Sequence, residues 1–243
     1  FQSLSGVVGC EPLPVLRWML EEISSQDSSY FQSWQNLESR VSDALPKLLQ
    51  QGEFGEYGAF ATVLDRMPSS SLIHVANSMA VRYLNFLGRR TQDVCCNRGT
   101  SGIDGSSSTA VGAAFVREGL VTLITGDMAF FYDRNAFWHN YPLANLRIIL
   151  LNNHAGGIFR LIEGPAKQPE LAEFFETQQA LTAAHLAAEY GFGYDLVRNV
   201  QDLDQALATF FEESATPKIL EIESESAQNE AILKSVKEQL RLL

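Results

Sequence analysis

Apolar residues fall along this chain in two forms, short unbroken runs and longer stretches with a helical period, and from Gly55 onward the two alternate. The runs LVTLITGD (120–127) and LRIILLNN (146–153) are apolar at most of their positions without a helical period, as in strands covered on both faces, and a helix-length polar and aromatic segment separates them. That pattern predicts two parallel strands joined by a crossover. SLIHVAN (71–77), DVCCN (93–97), YDLVRNV (194–200) and PKILEIES (217–224) are further strands. Helices are expected over EYGAFATVLDRM, with Phe60, Val63, Leu64 and Met67 on one face, over SMAVRYLNFLG up to Gly88, and over TAVGAAFV. Leu181 to Tyr190, the capped stretch DLDQALATFFEESA and a closing segment to Leu243 add three more. Strands alternating with helices predict an α/β fold, a mainly parallel central sheet with helices on both faces.

The two ends of the chain's order differ. Residues 1–50 lack the alternation: LPVLRWMLEEIS reads as an amphipathic helix, SSQDSSY as a loop, and a second helix through Trp34, Leu37, Val41 and Leu45 is expected to break at Pro46. This part reads as the end of a preceding domain or a connecting arm, with the main domain at 51–243. Arg160 to about Thr177 is expected to be a flexible covering loop whose acidic residues, Glu163 to Glu176, form a solvated surface.

Three clusters of residues carry candidate chemistry. Asp127 and Asn153 emerge at the carboxyl ends of the two central strands, the rim where open α/β sheets bind ligands. A carboxylate oxygen, an amide oxygen and a carbonyl from the turn HAGG form a hard-oxygen set suited to Mg²⁺ bearing phosphate oxygens, and Gly126 lets a diphosphate approach the backbone. The same residues would also serve as turn formers of an ordinary crossover unit. In NSMAVR, Asn77 and Ser78 stand at a helix start with Arg82 one turn on, either an anion site or an N-cap beside a solvated arginine. In NRGTSGIDGSSS, Arg98 stands at the mouth of a glycine-rich loop, and Ile103 is its one large apolar residue; the loop either wraps a ligand or caps the next helix. His154 fits a proton shuttle or a loop histidine, and His74, His139 and His185 fit structural roles.

Composition narrows the class. Hydrophobic residues make up 46% of 243, so the chain is globular, and a net charge of −11 argues against nucleic acid or anionic membrane as partner. Cys10, Cys95 and Cys96 form neither a zinc motif nor an even set, which favours a reducing, cytoplasmic setting. No apolar run has the length of a membrane span and no signal peptide is evident. The chain begins at Phe1 rather than Met, so upstream residues are expected. There is no P-loop and no G-x-S-x-G, and GFGYDL lacks the third glycine of a dinucleotide fingerprint.

Gly126-Asp127, about two dozen residues, then Asn152-Asn153 resembles the fingerprint of thiamine diphosphate (ThDP) enzymes. The resemblance implies Asp127, Asn153 and the Ala155 carbonyl as ligands of Mg²⁺ or Mn²⁺, with Gly126 and Met128 also beside the cofactor. NSMAVR, NRGTSGIDGSSSTAVGAA and GDM…NNHAGGIF, in that order, resemble the C-terminal part of the 2-succinyl-5-enolpyruvyl-6-hydroxy-3-cyclohexene-1-carboxylate synthase family, from about Gly55 to the end of the chain. Such enzymes decarboxylate 2-oxoglutarate on ThDP and add the resulting carbanion equivalent to isochorismate, in menaquinone biosynthesis. The resemblance implies Arg82 and Arg98 as substrate-carboxylate arginines, Ser78 as a substrate contact and Ile103 as the prop of the bent cofactor. It implies Ile158, Phe159 and Ile162 as an apolar wall. It also implies a homo-oligomer and an N-terminal pyrimidine-binding domain whose glutamate activates the cofactor. No glutamate here is assigned that role, so the chain alone is expected to be inactive. The turn reads NNHAGG where the family more often has NNNGG, which places Ala155 where the family has glycine. Another ThDP-dependent decarboxylase or ligase, and a non-catalytic phosphate-binding module, are the rival readings.

Overall fold

The computed structural model describes residues 3–23, 28–88 and 90–243. The chain divides into two compact units, one reaching Asp43 and including Leu243, the other Ala44–Leu242. In the first unit, α1 (Pro12–Glu22) opens on proline, whose missing N–H costs nothing in a first turn, and none of its residues is buried. Of the polar run SSQDSSY (24–30) expected to be a loop, 24–27 lie outside the described residues, while Ser29 and Tyr30 already belong to a helix. Helix α2 (Ser29–Gln51) crosses the boundary between the units and runs through Pro46, where a break was expected. Leu45 beside the proline is buried in the second unit's core and Leu49 packs on it. Burying leucines, at roughly 1.5–3 kcal/mol each, offsets the roughly 3 kcal/mol that an interior proline costs.

In the second unit, β1 (Leu72–Val75), β2 (Val94–Cys96), β3 (Val121–Gly126), β4 (Leu146–Asn152), β5 (Gly193–Val197) and β6 (Lys218–Glu223) form one parallel sheet in the order β2-β1-β3-β4-β6-β5. Every residue of β4 is buried. Its alternation divides the core: Ile149 and Leu151 join one apolar cluster, and Leu146, Ile148 and Leu150 the other. The first cluster takes in α3 (Glu56–Arg66), α4 (Met79–Phe86), α9 (Val200–Phe210) and α10 (Ser226–Leu240). The second takes in α5 (Ser106–Val116), α6 (Asp127–Tyr132) and α8 (Ala184–Tyr190). Helices therefore cover both faces, as the alternating pattern requires. The crossover between β3 and β4 is shorter in helix than its length allows, α6 followed by a 3₁₀ turn at Arg134–Phe137.

The segment after β4 departs from expectation. It forms a 3₁₀ turn at Gly157–Arg160, the short α7 (Glu163–Ala166) and a π-type turn at Leu171–Phe175. Glu176, expected on a solvated surface, is fully buried. The Arg160 guanidinium donates to both of its carboxylate oxygens at 2.7 Å, and the Ser226 hydroxyl donates to one of them at 2.6 Å. A bidentate arginine and a hydroxyl satisfy the desolvated carboxylate, which is why it can leave the surface.

One buried charge joins the layers. Arg147 of β4 is fully buried, and its guanidinium donates to the carbonyls of Phe210 and Glu212 at the C-terminal end of α9 and to those of Ala144 and Leu146. Helix carbonyl ends carry partial negative charge, so the site suits a cation. Arg147→Met keeps most of the packing and strands these acceptors. It is expected to lower the unfolding free energy by about 2–4 kcal/mol, read as a lower urea midpoint at unchanged m value.

Candidate ThDP and metal site

The loops following β2, β1, β3 and β4, four strands adjacent in the sheet, all leave the carboxyl edge. They enclose a cavity of about 520 Å³. Every residue that the resemblance assigns to the site lines it: Ser78, Arg82, Arg98, Ile103, Gly126, Asp127, Met128, Asn153, Ala155, Ile158, Phe159 and Ile162. His154 does not. Its Nε2 lies 3.7 Å from a Glu223 carboxylate oxygen, which fits the loop-histidine reading better than the shuttle.

The oxygen cluster sits where β3 and β4 end. Gly126 pairs with Leu151, so the next residues, Asp127 and Asn152-Asn153, leave the sheet side by side. Asp127 is 2% exposed; one of its oxygens accepts the Met128 N–H at 2.8 Å and the other the Gln179 amide at 2.9 Å. Burial pushes its carboxyl up to about 6 against the opposing pull of these bonds. The Asn153 side-chain oxygen accepts the Ala155 N–H at 3.1 Å, and the Ala155 carbonyl accepts the Gly157 N–H at 2.9 Å.

The turn NNHAGG places its left-handed residue one position before the alanine. His154, not Ala155, takes the left-handed conformation, with φ 60°. Histidine is among the few residue types enriched there, and Ala155 is absent from the positive-φ set among the described residues. Alanine in place of glycine thus carries no left-handed cost at 155.

The arginines are held by the loops on the other side. Arg82 donates to the Ser78 carbonyl at 2.7 Å, and Ser78 itself has φ 71°, a sparsely populated conformation of the kind found at ligand clamps. Buried Asn77 donates to the carbonyls of Asn97 and Gly102, both at 2.6 Å, and accepts from Arg98 at 3.2 Å. One amide therefore ties the β1 loop to the β2 loop and seats Arg98.

Two residues of the site, Glu56 and Gln179, carried no signal in the sequence. Glu56, at the start of α3, is 1% exposed and lines the cavity. It accepts from Asn153 at 2.7 Å and from the Tyr83 hydroxyl at 3.3 Å. Burial pushes its carboxyl up to about 7, with the Asp127 charge adding and the two hydrogen bonds opposing. In sequence it is an acidic residue in a helix's first turn, a commonplace. Gln179 lies between the expected covering loop and the helix expected from Leu181, and only the folded chain brings it to Asp127.

A sequence model of the thiamine pyrophosphate enzyme C-terminal TPP binding domain matches residues 76–222. Proteins named 2-succinyl-5-enolpyruvyl-6-hydroxy-3-cyclohexene-1-carboxylate synthase are similar to this chain. That of Cytophaga hutchinsonii is 48% identical over 90% of this chain and 40% of its own length. That of Flavobacterium johnsoniae is 36% identical over 96% of this chain and 42% of its own length. The chain thus spans about two fifths of the length of these curated relatives. Among solved structures, benzoylformate decarboxylase from Polynucleobacter necessarius superposes with a TM-score of 0.59 at 14% identity, over 70% of this chain and 33% of that one, a likeness of fold. With the family match extending over more than half its residues, the chain belongs to the thiamine pyrophosphate enzymes, as their C-terminal TPP-binding domain.

Proposed function

We propose that this chain is the diphosphate- and metal-binding part of a ThDP-dependent synthase that decarboxylates 2-oxoglutarate and joins the remainder to isochorismate. The observation that carries the reading is the meeting, in one cavity, of an all-oxygen donor cluster and two arginines delivered by neighbouring strand ends. The relatives' shared name supports the synthase assignment. Asp127 is buried with no lysine or arginine paired to it among the described residues, and a divalent cation would supply the missing charge.

In this reading Asp127, Asn153 and the Ala155 carbonyl hold Mg²⁺ or Mn²⁺, and Gly126 and Met128 flank the diphosphate. When bound, ThDP supplies the electron sink for decarboxylation of a 2-oxo acid. Ile103 props the cofactor, and Ile158, Phe159 and Ile162 keep water from the reacting face. Arg82 and Arg98 each commit one nitrogen to the hydrogen bonds above, leaving the rest of each fork for substrate carboxylates, with Ser78 beside them. Residues 1–50 are the end of a middle domain or arm. The activating glutamate comes from an N-terminal pyrimidine-binding domain, and the whole protein is a cytoplasmic homo-oligomer. The domain's share in the 40% coverage of the relatives supports this division.

Calorimetric titration of the full-length protein is expected to show ThDP binding that depends on Mg²⁺. Asp127→Ala should weaken that binding roughly 30-fold or more, the loss that follows when a buried charge partner is removed; unchanged metal dependence would refute the site. Arg98→Ala in the same protein should lower kcat/KM for the two polycarboxylate substrates by about 10- to 100-fold, the worth of one charged hydrogen bond. Full activity in that variant would exclude the substrate assignment.

A further inference from the structure

Glu56 is an unusual residue to find where it is. It is almost fully buried, and no lysine or arginine pairs with it among the described residues. Its place is nonetheless built with care from distant parts of the chain. The backbone N–H of Glu56 donates to the Asn229 side chain of α10 at 3.0 Å, and Asn229 in turn donates to Ser224 at 2.9 Å. At Gly55 a Cβ would stand 2.6 Å from the Ile232 side chain and 2.9 Å from the Asn229 side-chain oxygen, so a larger residue there would have to displace the side chain that holds the Glu56 N–H. Tyr83 fixes one carboxylate oxygen and leaves the other for Asn153.

We infer that Glu56 is a positioning residue that sets the orientation of the Asn153 amide, turning its oxygen toward the cation. This rests on the reading of Asn153 as a ligand. An amide is a cation ligand only through its oxygen, and its two ends are nearly identical in shape. Here each end has a partner of one kind only: the Glu56 oxygen can take only the NH₂, and the Ala155 N–H can meet only the oxygen. Flipping the amide would set two donors against each other at Ala155 and an oxygen against the Glu56 carboxylate. Residues that orient a ligand without touching the metal are a general feature of metal sites.

The test is Mn²⁺ binding to the full-length protein in the presence of ThDP, followed by the loss of the free-ion electron paramagnetic resonance signal. Glu56→Met fills a similar volume but accepts nothing, and it should weaken Mn²⁺ about 10- to 100-fold. Glu56→Gln keeps an acceptor for Asn153, with Tyr83 free to accept from its NH₂, and should stay within about threefold of wild type. Glu56→Ala provides a second loss variant, with circular dichroism reporting folding in each. Wild-type affinity in a folded Glu56→Met or Glu56→Ala protein would overturn the proposal. So would an equal loss in Glu56→Gln, since that would make charge, not orientation, the cause. If wild type itself shows no saturable Mn²⁺ site that Asp127→Ala removes, the metal reading fails instead, and the two failures are told apart.

Discussion

The register between β3 and β4 is the constraint from which the site follows. Their pairing runs from Val121 with Leu146 to Gly126 with Leu151, in a stretch with apolar cover on both faces. Because side chains alternate with a period of two, a slip of one residue would drive Arg147 into the opposite core and part Asp127 from Asn153. The same burial that fixes the register also denies polar groups any place within the strands except where a dedicated partner waits, as for Arg147 with α9. Polar chemistry is left to the ends of the strands, and the sheet order brings four such ends together.

What surrounds the oxygen cluster is a second set of constraints with longer reach. Asp127 is braced by Gln179, Asn153 by Glu56, and Arg98 by Asn77. Each brace comes from a different loop or helix, so the geometry of the cavity is a property of the whole second unit rather than of the fingerprint. The cluster is also buried and carries two carboxyls, and the raised carboxyls at Asp127 and Glu56 mark the electrostatic cost of assembling it from this chain alone.

Much of this was legible in the sequence for a physical reason. Strands buried on both faces are apolar at most positions, so β3 and β4 announced themselves despite Arg147 and two threonines, and residues just beyond them had to lie on the rim. The nominated residues met in one cavity because the motif spacing reflects that geometry. Local rules failed where distant contacts decide. Pro46 reads as a helix break until Leu45 is seen in the core. Glu176 reads as surface until Arg160 folds over it. Glu56 and Asn153 are 97 residues apart, and nothing in either neighbourhood foretells the other.

The close approach of α10 to Gly55 has one more consequence. A chain of hydrogen bonds runs from Ser224 through Asn229 to the backbone of Glu56, and from its carboxylate to Asn153. Coupling between two places in a protein is reciprocal in free energy. If occupancy at the rim steadies Asn153 and Glu56, the amides of the last helix gain protection from solvent exchange, and loosening the chain's end loosens the grip at its centre.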